Sequence, residues 1–242
     1  MGAGEGPTLI ARARPIAYIG DMSPFRALRL LLDLLFPKMS FVGNGIKIVE
    51  PAIFVANHEG AFGPLALILR FPLRLYPWVM HDLTERERCA RYLESHYFST
   101  ELGLPRFAGA WISHLIAELC VGLFRHIEAI PVYHESRRIM ETIAKSIVYL
   151  EEGRSLLIFP EIPDSYLNRY IGRFNTGFIE IAKRLGREER RIVDIYPVAV
   201  DRRGRRIILG HPSSYDVTKA YPEERRRIEG ELEEELSAML AR

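Results

Sequence analysis

IFVANHEGAFGP, residues 53–64, runs four apolar residues into Asn57-His58 and then breaks on Gly60, Gly63 and Pro64. A short unbroken apolar run bounded by turn residues reads as a strand buried on both faces of a sheet. The polar break marks the chain leaving that sheet through a tight turn. A histidine at the mouth of a buried strand, on a turn leading into a helix, sits where open α/β sheets place ligands and reactive groups.

The flanking sequence repeats the alternation. Residues 45–50 and 52–57 read as strands, 63–71 as a short helix and 73–80 as another extended run. A helix is expected over 84–99, with Thr84 as its cap and acidic residues in its first turn. A long apolar helix over 107–124 precedes a strand at 129–134, a helix from Ser136 and a strand at 155–161. The helix over 176–186 is expected to stop at Gly186, the strands at 191–201 and 206–211 form a hairpin, and a charged helix begins at Pro222. Strands alternating with helices imply an α/β fold: a mixed, largely parallel central sheet flanked by helices, with the 192–210 hairpin as an antiparallel edge. Residues 1–43 form an N-terminal segment with an amphipathic helix, and residues 44–242 form the α/β domain.

In such a sheet the functional loops follow the carboxyl ends of the strands. Three segments end there on polar residues: FVANHEG, IPVYHES and LLIFPEIPDS, which places His58, His134, Glu161 and Asp164 in one site.

Composition narrows the classes. The 242 residues are 48% hydrophobic and 26% charged, enough for one packed domain. With 33 basic and 31 acidic residues the net charge is +2, too balanced for a protein whose affinity comes from nucleic-acid phosphates, so no nucleic-acid partner is expected. Cys89 and Cys120 have no CxxC spacing and read as small buried hydrophobes, and His81, Asp82 and His96 lack ligand spacing, so no metal is expected. GxSxG, P-loop and GxGxxG motifs are absent. The first 22 residues lack the apolar core of a signal peptide, and a cytoplasmic location follows as the default. Residues 25–36 are strongly apolar but interrupted by Arg29 and Asp33, which favours an interfacial helix over a spanning one. In the 107–124 helix His114 and Glu118 disfavour a span and leave a helix packed on the domain or lying partly in the interface. A peripheral contact with the inner membrane face is therefore expected, and the oligomeric state is left open.

The three polar-ended segments, together with YPVAV at 196–200, resemble the glycerolipid (lysophospholipid) acyltransferase family over roughly residues 45–200. The NHxxxxD block is matched by Asn57 and His58, with Gly63 where the family has aspartate. AIPVYHES places His134 at or near the position of an arginine. FPEIPDS matches FPEGTRS at Phe159, Pro160, Glu161 and Ser165, with Ile162, Pro163 and Asp164 replacing Gly, Thr and Arg, and the helix beginning near Gly177 and Pro197 fit later blocks. The resemblance implies transfer of an acyl group from an acyl thioester, acyl-CoA or acyl carrier protein, to a hydroxyl of a glycerolipid or related lipid acceptor. No bound cofactor is implied.

On that resemblance His58 is the general base, and Asn57, Gly63, His134, Phe159, Pro160, Glu161 and Ser165 border the substrate, with Glu161 binding or orienting the acceptor. A base of this kind needs an acceptor on its second ring nitrogen to hold its tautomer, which Gly63 does not supply. Asp164 or Glu59 is the candidate replacement acid. Without arginines at 134 and 164, a neutral hydroxyl acceptor is favoured, or a phosphate is gripped by Arg169, Arg173 or Lys183. Two readings follow: a transferase with a replacement acid, or a catalytically impaired fold that binds acyl chains or membrane without turnover.

Overall fold

The computed structural model describes residues 24–43, 45–98, 106–133, 137–161 and 175–241. The strands are β1 (Ser40–Val42), β2 (Ile53–Ala56), β3 (Leu75–Met80), β4 (Ile130–Val132), β5 (Ser155–Ile158), β6 (Asp194–Asp201), β7 (Arg206–Leu209) and β8 (Ser213–Ser214). The helices are α1 (Pro24–Leu35), α2 (Phe62–Arg70), α3 (Arg86–Tyr92), α4 (Arg106–His126), α5 (Ile139–Glu151), α6 (Ile179–Glu188) and α7 (Tyr221–Leu240). The sheet order is β1-β7-β6-β2-β5-β3-β4, with β8 paired to β6. Strands β2 to β6 run parallel, and among the described strands the antiparallel pairs are β6 with β7 and β6 with β8.

The apolar run of β2 is buried on both faces. Ile53 and Val55 join Leu156, Ile158 and Ile195 in a core closed by Ile143 and Leu150 of α5, Ile181 and Leu185 of α6, and Ile228, Leu232 and Leu236 of α7. Phe54 and Ala56 point the other way, to Leu157, Tyr196, Val198 and Val200, beneath Ala66 and Leu67 of α2. Strand alternation delivers neighbouring residues to opposite cores, and each fully buried aliphatic side chain contributes about 1.5–3 kcal/mol. A third cluster, Cys89, Ala90, Ala117 and Val121, joins α3 to α4. Cys120 packs against it, and Cys89 and Cys120 interact directly, which holds the Cys89 thiol well above its usual range together with burial.

Several local expectations change. Residues 45–50 do not form a strand: Ile46 and Ile48 pack inward as the alternation implies, but Val49 N donates to the Tyr196 hydroxyl, which itself donates to Lys47 O, so a side chain takes the place of a partner strand. Thr84 does not cap α3; its hydroxyl donates to His81 O at 2.8 Å and closes the preceding turn. Gly186 lies inside α6, where an added Cβ would stand 2.7 Å from Val217 Cγ1, so close packing and not chain reversal uses the glycine. The β6–β7 hairpin is not the sheet edge, because β1 pairs parallel to β7 beyond it. The sheet thus takes in residues 40–42, which the sequence reading assigned to the N-terminal segment. Among the described residues no helix is long and apolar enough to cross a membrane.

Candidate active site

Asn57 follows the last residue of β2 and extends the sheet by its side chain. Its Nδ2 donates to Val200 O at 3.1 Å and its Oδ1 accepts from Val200 N at 2.7 Å, in a position 6% exposed. The side-chain amide presents to β6 the same donor and acceptor that a backbone residue would, so the chain is free to turn without leaving Val200 unpaired. Asn57, expected at the border of the substrate, clamps the turn with its amide.

Past His58 the chain reverses through two left-handed residues, Glu59 at φ 42° and Gly60 at φ 65°. For Glu59 that conformation costs about 1–2 kcal/mol. Its carboxylate accepts from Arg202 N at 3.3 Å, which ties the turn to the end of β6. The turn closes when Gly63 N donates to His58 O at 3.1 Å, just inside α2. A Cβ on Gly63 would lie 2.3 Å from His58 O and 2.8 Å from Asn57 O, both backbone atoms. No side chain fits there without moving the turn, so this backbone requires a glycine at position 63.

Just past β5, Phe159 packs against the His58 imidazole in a T-shaped pair, with centroids 5.1 Å apart. Pro160 O accepts from Asn175 N at 2.8 Å, and Glu161 Oε2 accepts from His58 N at 3.0 Å. Because β2 and β5 are adjacent and parallel, Ile158 stands beside Val55 and the residues after each strand meet.

Burial lowers the His58 pKa below its ordinary 6.5, opposed by a hydrogen bond to the Gly60 backbone, so the imidazole is neutral at pH 7. Burial pushes Glu161 up to about 7, with the His58 backbone hydrogen bond opposing and the Glu59 charge adding to the rise. Glu161 is therefore close to half protonated at neutral pH.

The structure brings together Asn57, His58, Glu59, Gly63, Phe159, Pro160 and Glu161. His134, Asp164 and Ser165 lie outside the described residues, as do Arg169 and Arg173. Lys183 is engaged by Glu180, at 3.0 and 2.9 Å from its two carboxylate oxygens. Among the described residues no three His, Cys, Asp or Glu side chains converge as metal ligands. Sequence reasoning missed Val200 as the anchor of Asn57. The one signal for it was the amide side chain itself, placed at a strand end.

The sheet order, the parallel strands and the turn between β2 and α2 make an α/β fold that has a solved counterpart. The chain is similar over 90% of its length to the crystal structure of the 1-acyl-sn-glycerophosphate (LPA) acyltransferase PlsC from Thermotoga maritima, with 16% identity, a TM-score of 0.53 and 79% of that chain covered. No family model matches the sequence, and no curated protein matches it.

Proposed function

We propose that this protein is an O-acyltransferase that moves an acyl group from an acyl thioester, acyl-CoA or acyl carrier protein, to a hydroxyl of a glycerolipid or related lipid at the inner membrane face. The observation that carries the reading is His58: a neutral imidazole at the carboxyl end of β2, packed on Phe159 and set in a turn braced by Glu161. The fold shared with an LPA acyltransferase supports the same reaction class.

In this mechanism the neutral ring of His58 takes the acceptor hydroxyl's proton as the oxygen attacks the thioester carbonyl. The tetrahedral intermediate collapses with cleavage of the C–S bond, and the imidazolium returns its proton to the departing thiolate. Phe159 packs on the ring and limits its orientation. Glu161 in its protonated form is able to donate to an acceptor oxygen while its other oxygen keeps the His58 backbone N–H. The leucine face of α1 rests on the lipid surface from which the acceptor comes.

A second reading is favoured by Gly63. A turn closed against a side chain at the aspartate position is compatible with a fold that binds acyl chains or membrane without turnover. Thiol release from acyl-CoA and acyl-carrier donors, with and without glycerolipid and neutral alcohol acceptors, separates the two. Acceptor-dependent release that His58→Ala abolishes is the expected result. Equal inertness of both proteins, with acyl-chain binding retained, refutes the transferase.

A further inference from the structure

One side chain fastens the N-terminal helix to the helix that begins at the His58 turn. Arg70, at the last position of α2, donates from Nη1 to Asp33 Oδ1 at 2.9 Å and from Nη2 to Asp33 O at 2.7 Å and Phe36 O at 3.0 Å; its Nε donates to Pro37 O at 3.4 Å. A helix ends with carbonyls that lack intrahelical donors, and this guanidinium fork supplies them from 34 residues away. The other end of α2 is joined to the same place. Phe62, first residue of α2 and neighbour of Gly63, stacks on Phe36 with ring centroids 4.9 Å apart, and the Arg202 guanidinium lies 5.1 Å from the Phe62 ring centre. The end of α1 therefore contacts both termini of the nine-residue helix whose first turn closes the His58 loop.

The opposite side of α1 is uncovered. Leu30, Leu31, Leu34 and Leu35 are 50–81% exposed, and α4, which α1 touches, exposes Ile112, Leu115 and Leu119. Arg70 neutralises Asp33, the one acid of α1, while the helix carries Arg26 and Arg29 in sequence and Lys38 stands exposed just past its end. Exposed leucines on a helix whose sequence carries these cations match an anionic lipid surface, where each cation near it adds about 1 kcal/mol.

We propose that α1, through Arg70 and the Phe36–Phe62 stack, positions the His58 turn, so that seating its leucine face on anionic lipid tightens the turn from His58 to Gly63. Arg70, Phe36 and Phe62 are positioning residues that act through α2. The inference rests on the reading of α1 as the lipid-facing helix, but not on turnover.

Hydrogen exchange of the peptide covering residues 57–70 tests it on the full chain, with no vesicles, with phosphatidylcholine vesicles, and with vesicles that also contain phosphatidylglycerol. Sedimentation reports binding in each case. The expected result is binding to the anionic vesicles and exchange at least about threefold slower in that peptide. Arg70→Lys keeps the charge without the fork, and Phe36→Leu keeps the apolar volume without the ring. Both are expected to bind vesicles as the wild type does and to lose the slowing. Wild type bound without slowing overturns the proposal, as do variants that keep it, or a failure to bind anionic vesicles at all. An equal response to phosphatidylcholine alone overturns the part given to charge. Thiol release absent while the exchange response is intact would remove the transferase and leave the coupling standing.

Discussion

Placing an aspartate at position 63, where the sequence resemblance expects one, is the most direct test of how the His58 turn is built, and we expect Gly63→Asp to damage the protein. The added Cβ would lie 2.3 Å from His58 O, 2.8 Å from Asn57 O and 2.9 Å from His58 C, and because these are backbone atoms no rotamer change relieves the contact. Overpacking of this kind costs about 1–3 kcal/mol. Opening the turn also breaks the Gly63 N to His58 O hydrogen bond of 3.1 Å, worth about 1 kcal/mol. The sum, roughly 2–4 kcal/mol, corresponds to a loss of roughly 5–15 °C in Tm for a chain of this size. Gly63→Ala separates the causes, since it brings the same Cβ without a carboxylate. Thermal unfolding of both variants should show equal losses, and neither should release thiol faster than the wild type. A Gly63→Asp protein as stable as the wild type and faster in acyl transfer would refute the reasoning: position 63 would then be a vacated aspartate site that the turn accommodates freely.

Asn57→Ala leaves Val200 N–H and C=O buried without their partner, which should cost about 2–5 kcal/mol in urea unfolding. Glu161, raised to about 7 from an ordinary 4.5, binds its proton more tightly folded than unfolded. Its contribution is complete below pH 4.5 and lost as pH rises through 7, on the order of 3 kcal/mol in all. The difference in stability between wild type and Glu161→Gln, followed from pH 4 to pH 8, should therefore decline with rising pH, and a flat difference would refute the assigned burial. Gly186→Ala tests the reassignment of that glycine to the interior of α6. The contact at 2.7 Å is with the end of the Val217 side chain, which is 40% exposed and able to move. The gain in helix propensity, about 1 kcal/mol, should nearly offset the crowding. A loss well beyond about 1 kcal/mol in urea unfolding would contradict this placement.

The fold was legible because its signals are local. Four apolar residues ending at Asn57, the proline and glycine punctuation, and the alternation of strands with helices define a parallel sheet before any long-range contact is known, and parallel strands that are neighbours in a sheet bring their following loops together. That rule puts His58 and Glu161 in one site, and the adjacency of β2 and β5 in the assembled sheet makes them neighbours. Residues 45–50 misled for the same reason: alternation of Ile46 and Ile48 reports which side is buried, not what pairs with the backbone, and Tyr196 takes that place from 147 residues away.

The roles of single residues belong to the tertiary structure. Asn57 is a clamp only because Val200 stands opposite it, and Gly63 is obligatory only because the His58 carbonyl folds over it. Arg70 reads as an ordinary helix-end cation until the end of α1 arrives against it. Sequence determined that a histidine sits at the carboxyl end of a buried strand, since hydrophobic periodicity and turn propensity act over a few residues. Packing between distant segments decided what holds that histidine, because hydrogen bonds and steric closure depend on distances that only the assembled sheet defines.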